Sequence, residues 1–468
     1  MHLISPYAKF SPAIRDVKNN PCPVSIIPIE LLQEIFAFSV TKRSAPRIRA
    51  SVSQDELEPP GFQATALILT WVCSQWRQIA LSLQELWCTM NIYKPKKYCV
   101  ELAKVYLSRS GDRTSLNLYL RQNARPDYWE YPNPEACPEH RATVEILRLW
   151  VPHAHRWRSI FLDMTFTPPS HELPKIPAGA LSSLQEANLR FQEKPKDSSV
   201  LIEWLWGNLF QSPLLRTAYW HDLRHILPPA PFSQLSEFRL SSPTVDELYS
   251  VLAASHRLKR LDVNISPKDH THPEMPSAPG ILLPSLEYLA LDGGEHLSRI
   301  LDHLSAPALR ELRLTDTREI PFAEAHSLER FLRRSCCTLR ALDLTQGRKG
   351  GETSVLDYFT NASKYLANLE AFSVYCTALS ERMISLFAPR VVDNTISVPF
   401  PCLVDLQFCT CITKDGVVSS MVNSRSAAGV PLWAFVCRVQ YESTGYSKDE
   451  AVFQRLLQDG LQLYWYVW

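Results

Sequence analysis

Two apolar runs near the N-terminus and a six-residue apolar pattern that recurs further on organise this chain. The first run, IIPIELLQEIFAFSV over residues 26–40, sets Pro28 and Glu30 ahead of bulky side chains. Proline has a helical φ and no N–H to leave unpaired, and negative charge suits the first turn of a helix, so a helix is predicted from Pro28. Leu32, Ile35, Phe36 and Ser39 fall at i, i+3, i+4 and i+7, and Leu31 and Phe38 widen the apolar surface beyond one stripe. The second run, LILTWVCSQWRQIALSLQELW, carries Leu69, Val72, Cys73, Trp76, Ala80 and Leu83 at helical spacing. It predicts one amphipathic helix, followed by a short third element with Leu86 and Trp87. A polar, proline-bearing loop, 41–66, separates the runs. Helices this short carry apolar side chains on so many sides when two surfaces need covering, either a three-helix core alone or a core and a partner.

Downstream, a hexad with apolar positions at i, i+3 and i+5 recurs as LQEANL from Leu184, LSEFRL from Leu235, LKRLDV from Leu258, LEYLAL from Leu286, LRELRL from Leu309, LRALDL from Leu339, LEAFSV from Leu369 and LVDLQF from Leu403. LRTAYW from Leu215 is a degenerate copy. Successive starts lie between 20 residues (Leu215 to Leu235) and 34 residues (Leu369 to Leu403) apart, the period of a solenoid built from one strand and one variable segment per repeat. The last two apolar positions of each hexad are two apart, so they point into a core while the residue between them points out. ERFLRRS at 329–335 and SVLDYFTNASKYL at 354–366 read as helices between strands. Proline two residues before the leading Leu, at 213, 284, 307 and 401, is expected to stop the helix and favour extended chain. Before the hexads, YCVELAKVYLSRSG reads as a helix ended by Gly111, SLNLYL as a strand, and VEILRLWVPHAHRWRSIFLDM as a helix and a second strand. WAFVCRVQYE, a helix from about residue 448 to 458 and LQLYWYVW are expected to close the edge of the solenoid.

The segments P28-I-E-L-L-Q-E-I-F36, L69-T-W-V-C-S-Q-W-R77, I79-A80 and L86-W87 resemble the F-box, in which a Leu-Pro helix precedes a Val-Cys-x-x-Trp-Arg helix and a Leu-Trp closure. Ile27 stands where that family usually has Leu, and the 41–66 loop is longer than most, as in F-box-like proteins of mushroom-forming fungi, which the whole chain resembles. The hexads resemble leucine-rich repeats. Thr317, Gly347 and Thr377 stand where an Asn or Cys is usual, and LVDLQFCTCITKDGV comes nearer to the cysteine-containing subtype.

These resemblances imply an α/β protein: a tail over 1–24, an F-box-like helical module over 25–92, a leucine-rich-repeat solenoid over 98–429 and a cap over 430–468. They imply a substrate-recognition subunit of a Skp-cullin-F-box type ubiquitin ligase. Pro28, Leu31, Leu32, Ile35, Phe36, Val72 and Trp76 would form or support the surface docked on the Skp-type adaptor, and through it on a cullin. A protein substrate would bind the strand-lined concave face, anchored by Tyr219, Arg239, Arg313, Asp343 and Tyr375. Nine strands make that face roughly 40 Å long. Loops or the C-terminal strands are the alternative binding region, and a repeat scaffold outside ubiquitination is the alternative function.

Composition narrows the classes. The sequence has 49 basic and 48 acidic residues, so no global field favours nucleic acid or anionic lipid. It shows no long uncharged apolar run and begins without a basic segment followed by an apolar stretch, which predicts a protein of the cytoplasm or nucleus. Its 12 cysteines are scattered, and reduced core thiols are expected. His153 and His155, His270 and His272, and Cys402, Cys409 and Cys411 lack zinc-site spacing. GRKGGETS from Gly347 misses the phosphate-loop spacing, and no nucleophile elbow or zincin motif occurs. Neither a cofactor, a metal nor a catalytic residue is expected.

Overall fold

The computed structural model describes residues 27–41, 61–62, 65–122, 137–164, 172–191, 207–221, 232–265, 280–316, 326–346, 352–376, 378–392, 395–439 and 446–467. The chain divides into two compact units, Met1–Trp157 and Arg158–Trp468.

In the first unit, helix α1 spans Ile29–Thr41, α2 Thr65–Val72 and α3 Ser74–Ser82, followed by a 3-10 turn, Gln84–Trp87. Pro28 lies just outside α1, and its carbonyl accepts the N–H of Leu32 at 3.1 Å, so it flanks the helix rather than beginning it. The single helix expected through 69–83 is two helices. Cys73 breaks it with an extended backbone, φ −159° and ψ 173°, and its Sγ accepts the N–H of Trp76 at 3.4 Å. Arg77 Nε donates to the Thr70 carbonyl at 2.9 Å, satisfying an acceptor that the break leaves free at the end of α2. The helical phase restarts at Cys73, so the predicted stripe does not form one face: Ala80 is buried and Val72 is exposed.

Phe36 of α1 meets Trp76 of α3 edge-on, ring centroids 4.8 Å apart. Trp87, buried, donates its Nε1–H to the Ala80 carbonyl at 2.8 Å and meets Tyr106 at 5.0 Å. Tyr106 belongs to α4, Lys97–Arg109, which ends before Gly111. Gly111 has φ +63°, and a Cβ there would stand 2.8 Å from Gln84 Oε1, which accounts for glycine at this stop. Strand Thr89–Tyr93 pairs parallel with Leu116–Arg121 and antiparallel with Gly61–Phe62. The expected 41–66 loop therefore contains paired backbone near its end. Residues 1–24, 42–60 and 63–64 lie outside the described residues. A fifth helix, Pro138–Trp150, carries the VEILRLW segment.

The second unit is mixed α/β around a large parallel sheet. All nine hexads become strands: Glu186–Phe191, Thr217–His221, Glu237–Ser241, Arg260–Asn264, Tyr288–Asp292, Glu311–Asp316, Ala341–Gln346, Ala371–Tyr375 and Asp405–Cys411. Each pairs in parallel with the next. Trp157–Met164 pairs with the first of them, and Ala434–Val439 and Gln462–Val467 continue beyond the last. The C-terminal segment expected to close the edge thus adds two parallel strands, and among the described residues the final strand has a strand neighbour on one side only.

Equal register follows from a repeated local device. In eight of the nine hexads the leading Leu closes a turn onto the residue three before it, as in Leu286 N–H to Leu283 O at 3.3 Å and Leu403 N–H to Phe400 O at 3.1 Å; Leu339 instead follows Cys336, which ends its helix in a left-handed conformation. Pro213, Pro284, Pro307 and Pro401 sit in the first central position of such turns, not in the extended chain expected of them. The fixed φ of proline matches that position. Inward alternates such as Phe238 and Leu240, or Leu342 and Leu344, are buried, each contributing about 1.5–3 kcal/mol. Helices Ser327–Ser335 and Glu352–Ala362 fall near their predicted spans. Phe359 of the latter meets Phe372 at 4.6 Å, and the aromatic contact continues through Phe387 and Phe408 to Phe435. Asp415 accepts the N–H groups of Lys448 and Asp449, while Asp449 accepts those of Gly416 and Ser419, so two successive helices cap each other.

Candidate protein-binding surfaces

On α1 the structure separates residues that the sequence grouped. Leu32 and Phe36 are 1% exposed, whereas Leu31 and Ile35 are 55% and 51% exposed, and Pro28 is also exposed. On α2, Val72 is exposed with Ile68 and Trp71, the last at 71%. Trp76 is half-buried against Phe36. Of the seven candidates, Leu32, Phe36 and Trp76 build the core, and Pro28, Leu31, Ile35 and Val72 face outward. Ile29, Phe38, Ile68 and Trp71 join the outward group without having been singled out for docking. Their signal was legible: Leu31, Ile35 and Phe38 stand at i, i+4, i+7, and Ile68, Trp71 and Val72 at i, i+3, i+4. Large exposed apolar side chains concentrate on these two short helices, and contiguous patches of that kind are rare on monomeric surfaces.

The outward alternates of the hexad strands hold the second candidate group. Tyr219, Arg239, Asp262, Ala290, Arg313 and Asp343 occupy one register row, each the cross-strand partner of the next. Tyr375 stands in the adjoining row beside Thr345. The arginines do not stand free. Arg239 Nε lies 3.2 Å from Asp262 Oδ2, and Arg313 Nε donates to Asp343 Oδ2 at 3.1 Å. Burial holds the Asp262 and Asp343 carboxyls above their ordinary range despite these guanidiniums. Tyr375 Oη donates to Gln407 Oε1 at 3.4 Å. Burial first, then the Glu237 and Glu186 carboxylates, push the Tyr219 phenol up to about 12. Glu186 and Glu237, which the sequence reading passed over, are the third residues of their hexads and lie on the same face two residues before Asn188 and Arg239.

Among the described residues no three His, Cys, Asp or Glu side chains are arranged to hold a metal ion. His153 and His155 lie in a 3-10 turn, Val151–Arg156, rather than a strand. Cys402 is exposed while Cys411 is buried 3.4 Å from Cys437, both as free thiols. His270, His272, residues 347–351 and the Cys409 side chain lie outside the described residues. No described helix is long and apolar enough to cross a membrane. No protein-family model matches the chain, and no curated protein matches it.

Proposed function

We propose that this protein is a substrate-recognition subunit of a Skp-cullin-F-box type ubiquitin ligase. The observation that carries the reading is the row of outward apolar side chains on α1 and α2, within segments whose residue types resemble the F-box. In this reading Pro28, Leu31, Ile35 and Val72 touch the Skp-type adaptor, and Leu32, Phe36 and Trp76 hold the helices that present them. The hexad-bearing strands within 98–429 serve as a leucine-rich-repeat solenoid whose strand-lined concave face meets a protein substrate through Tyr219, Arg239, Arg313, Asp343 and Tyr375. The chain itself is non-catalytic and works in the cytoplasm or nucleus. Stoichiometric recovery of a Skp-type adaptor and a cullin with the tagged protein is the expected result. Recovery of neither, from cells in which another F-box protein recovers both, would sink the reading.

A further inference from the structure

Resting on the reading that the sheet face meets a protein, the geometry points to the chemistry of its contact: we propose that the partner inserts one basic side chain, arginine or lysine, between Glu186 and Glu237. Both carboxylates flank Thr217 in one register row, Glu186 opposite Thr217 and Thr217 opposite Glu237. Two strand spacings separate their backbones by about 10 Å, and the short threonine leaves a notch between them. Tyr219 stands two residues along the same strand, on the same face.

The neighbouring cations are engaged elsewhere. Arg190 lies 3.7 Å from Asp163, Arg239 3.2 Å from Asp262, and the Arg260 guanidinium stacks 4.0 Å from the centre of the Tyr288 ring although its backbone is opposite Glu237. No ion pair reaches Glu186 or Glu237 among the described residues.

Asn188 supplies the independent observation. It stands on this face opposite Tyr219, two residues after Glu186, is only 4% exposed, and its Oδ1 has no hydrogen-bond partner among the described residues. A buried acceptor without a donor is costly, and so is a half-buried carboxylate beside a like charge. A guanidinium or ammonium supplies what all three groups lack, several N–H donors and a positive charge, and its stem packs on the Tyr219 ring.

The test is selection of a random-peptide display library on the immobilised full-length protein, in buffer containing EDTA. The expected result is enrichment of peptides sharing one arginine or lysine. Replacing that residue by citrulline or norleucine, or changing Glu186→Gln with Glu237→Gln in the protein, is expected to weaken binding by about tenfold or more. Thr217→Arg places a guanidinium in the notch from within, and is expected to abolish capture while raising the melting temperature. Enriched peptides with no shared basic position, no enrichment, or binding that survives these changes in a folded variant overturns the proposal. Enrichment only when divalent metal replaces EDTA also overturns it, by making the occupant an ion. Adaptor capture by the same preparations separates the readings: its loss with peptide binding intact removes the ligase assignment and leaves the notch standing.

Discussion

The two candidate surfaces are built on opposite physical principles. On α1 and α2, large apolar side chains such as Leu31, Ile35 and Trp71 are exposed to water. On the sheet face, charged residues largely satisfy one another across strands, Arg239 with Asp262 and Arg313 with Asp343. An apolar surface gains from any partner of matching shape because burial is non-directional, and each side chain contributes separately. A face of paired charges gains little from single residues, and it discriminates among partners by which pairs they complete or disrupt. In the proposed reading, the helices serve one constant partner and the sheet selects among many.

The largest expected effect tests the division within α1. Phe36→Ala should destabilise the first unit by about 3–5 kcal/mol, because a buried ring packed on Trp76 is lost. Leu31→Ala, five residues earlier on the same helix but exposed, should change stability by less than about 0.5 kcal/mol. Chemical denaturation of both variants measures this, and equal losses would erase the distinction between core and surface on this helix.

Next comes binding without folding. Leu31→Asp with Ile35→Asp should leave the melting temperature near that of the parent and weaken adaptor capture by about a hundredfold or more, since each exposed side chain can bury about 2 kcal/mol on docking. Titration against purified adaptor reads it, and unchanged affinity would remove these residues from the interface.

On the sheet, a double-mutant cycle of Arg313→Ala and Asp343→Ala should give a coupling of only about 0.5–1 kcal/mol, as befits a partly exposed pair. A coupling several times larger would show that the face is rigidly organised and would weaken the contrast with the helices.

The smallest effect is one of slope. Burial, then Glu237, raises the Glu186 carboxyl above its ordinary value of 4.5. Between that value and the raised folded one, the folded state holds more protons than the unfolded, so stability falls as pH rises through this window. Glu186→Gln should flatten that fall in thermal melts run from acid to neutral pH. A steeper fall in the variant would mean that Glu186 has a cationic partner in the folded chain.

The repeating strands and their register are legible in the hexads. A leading Leu, closing the same turn in eight of the nine hexads, aligns the strand starts, and period-two alternation then sends Phe238 and Leu240 inward and Arg239 outward. Legible too is that the two N-terminal runs are helical and carry more apolar surface than one core needs. How that surface divides is set by packing, because Leu31 and Leu32 are the same residue type side by side, yet Leu32 is buried and Leu31 exposed. The break at Cys73 was hidden for the same reason: it is held by Arg77 reaching back to the Thr70 carbonyl, a contact between helices that periodicity does not encode. Hexad spacing could list Arg239, Asp262, Arg313 and Asp343 in order, but whether neighbours pair or stand free depends on side-chain direction. Arg260 shows the difference, turning from Glu237 opposite it to stack on Tyr288, and so leaving the notch beside Thr217 without a cation of its own.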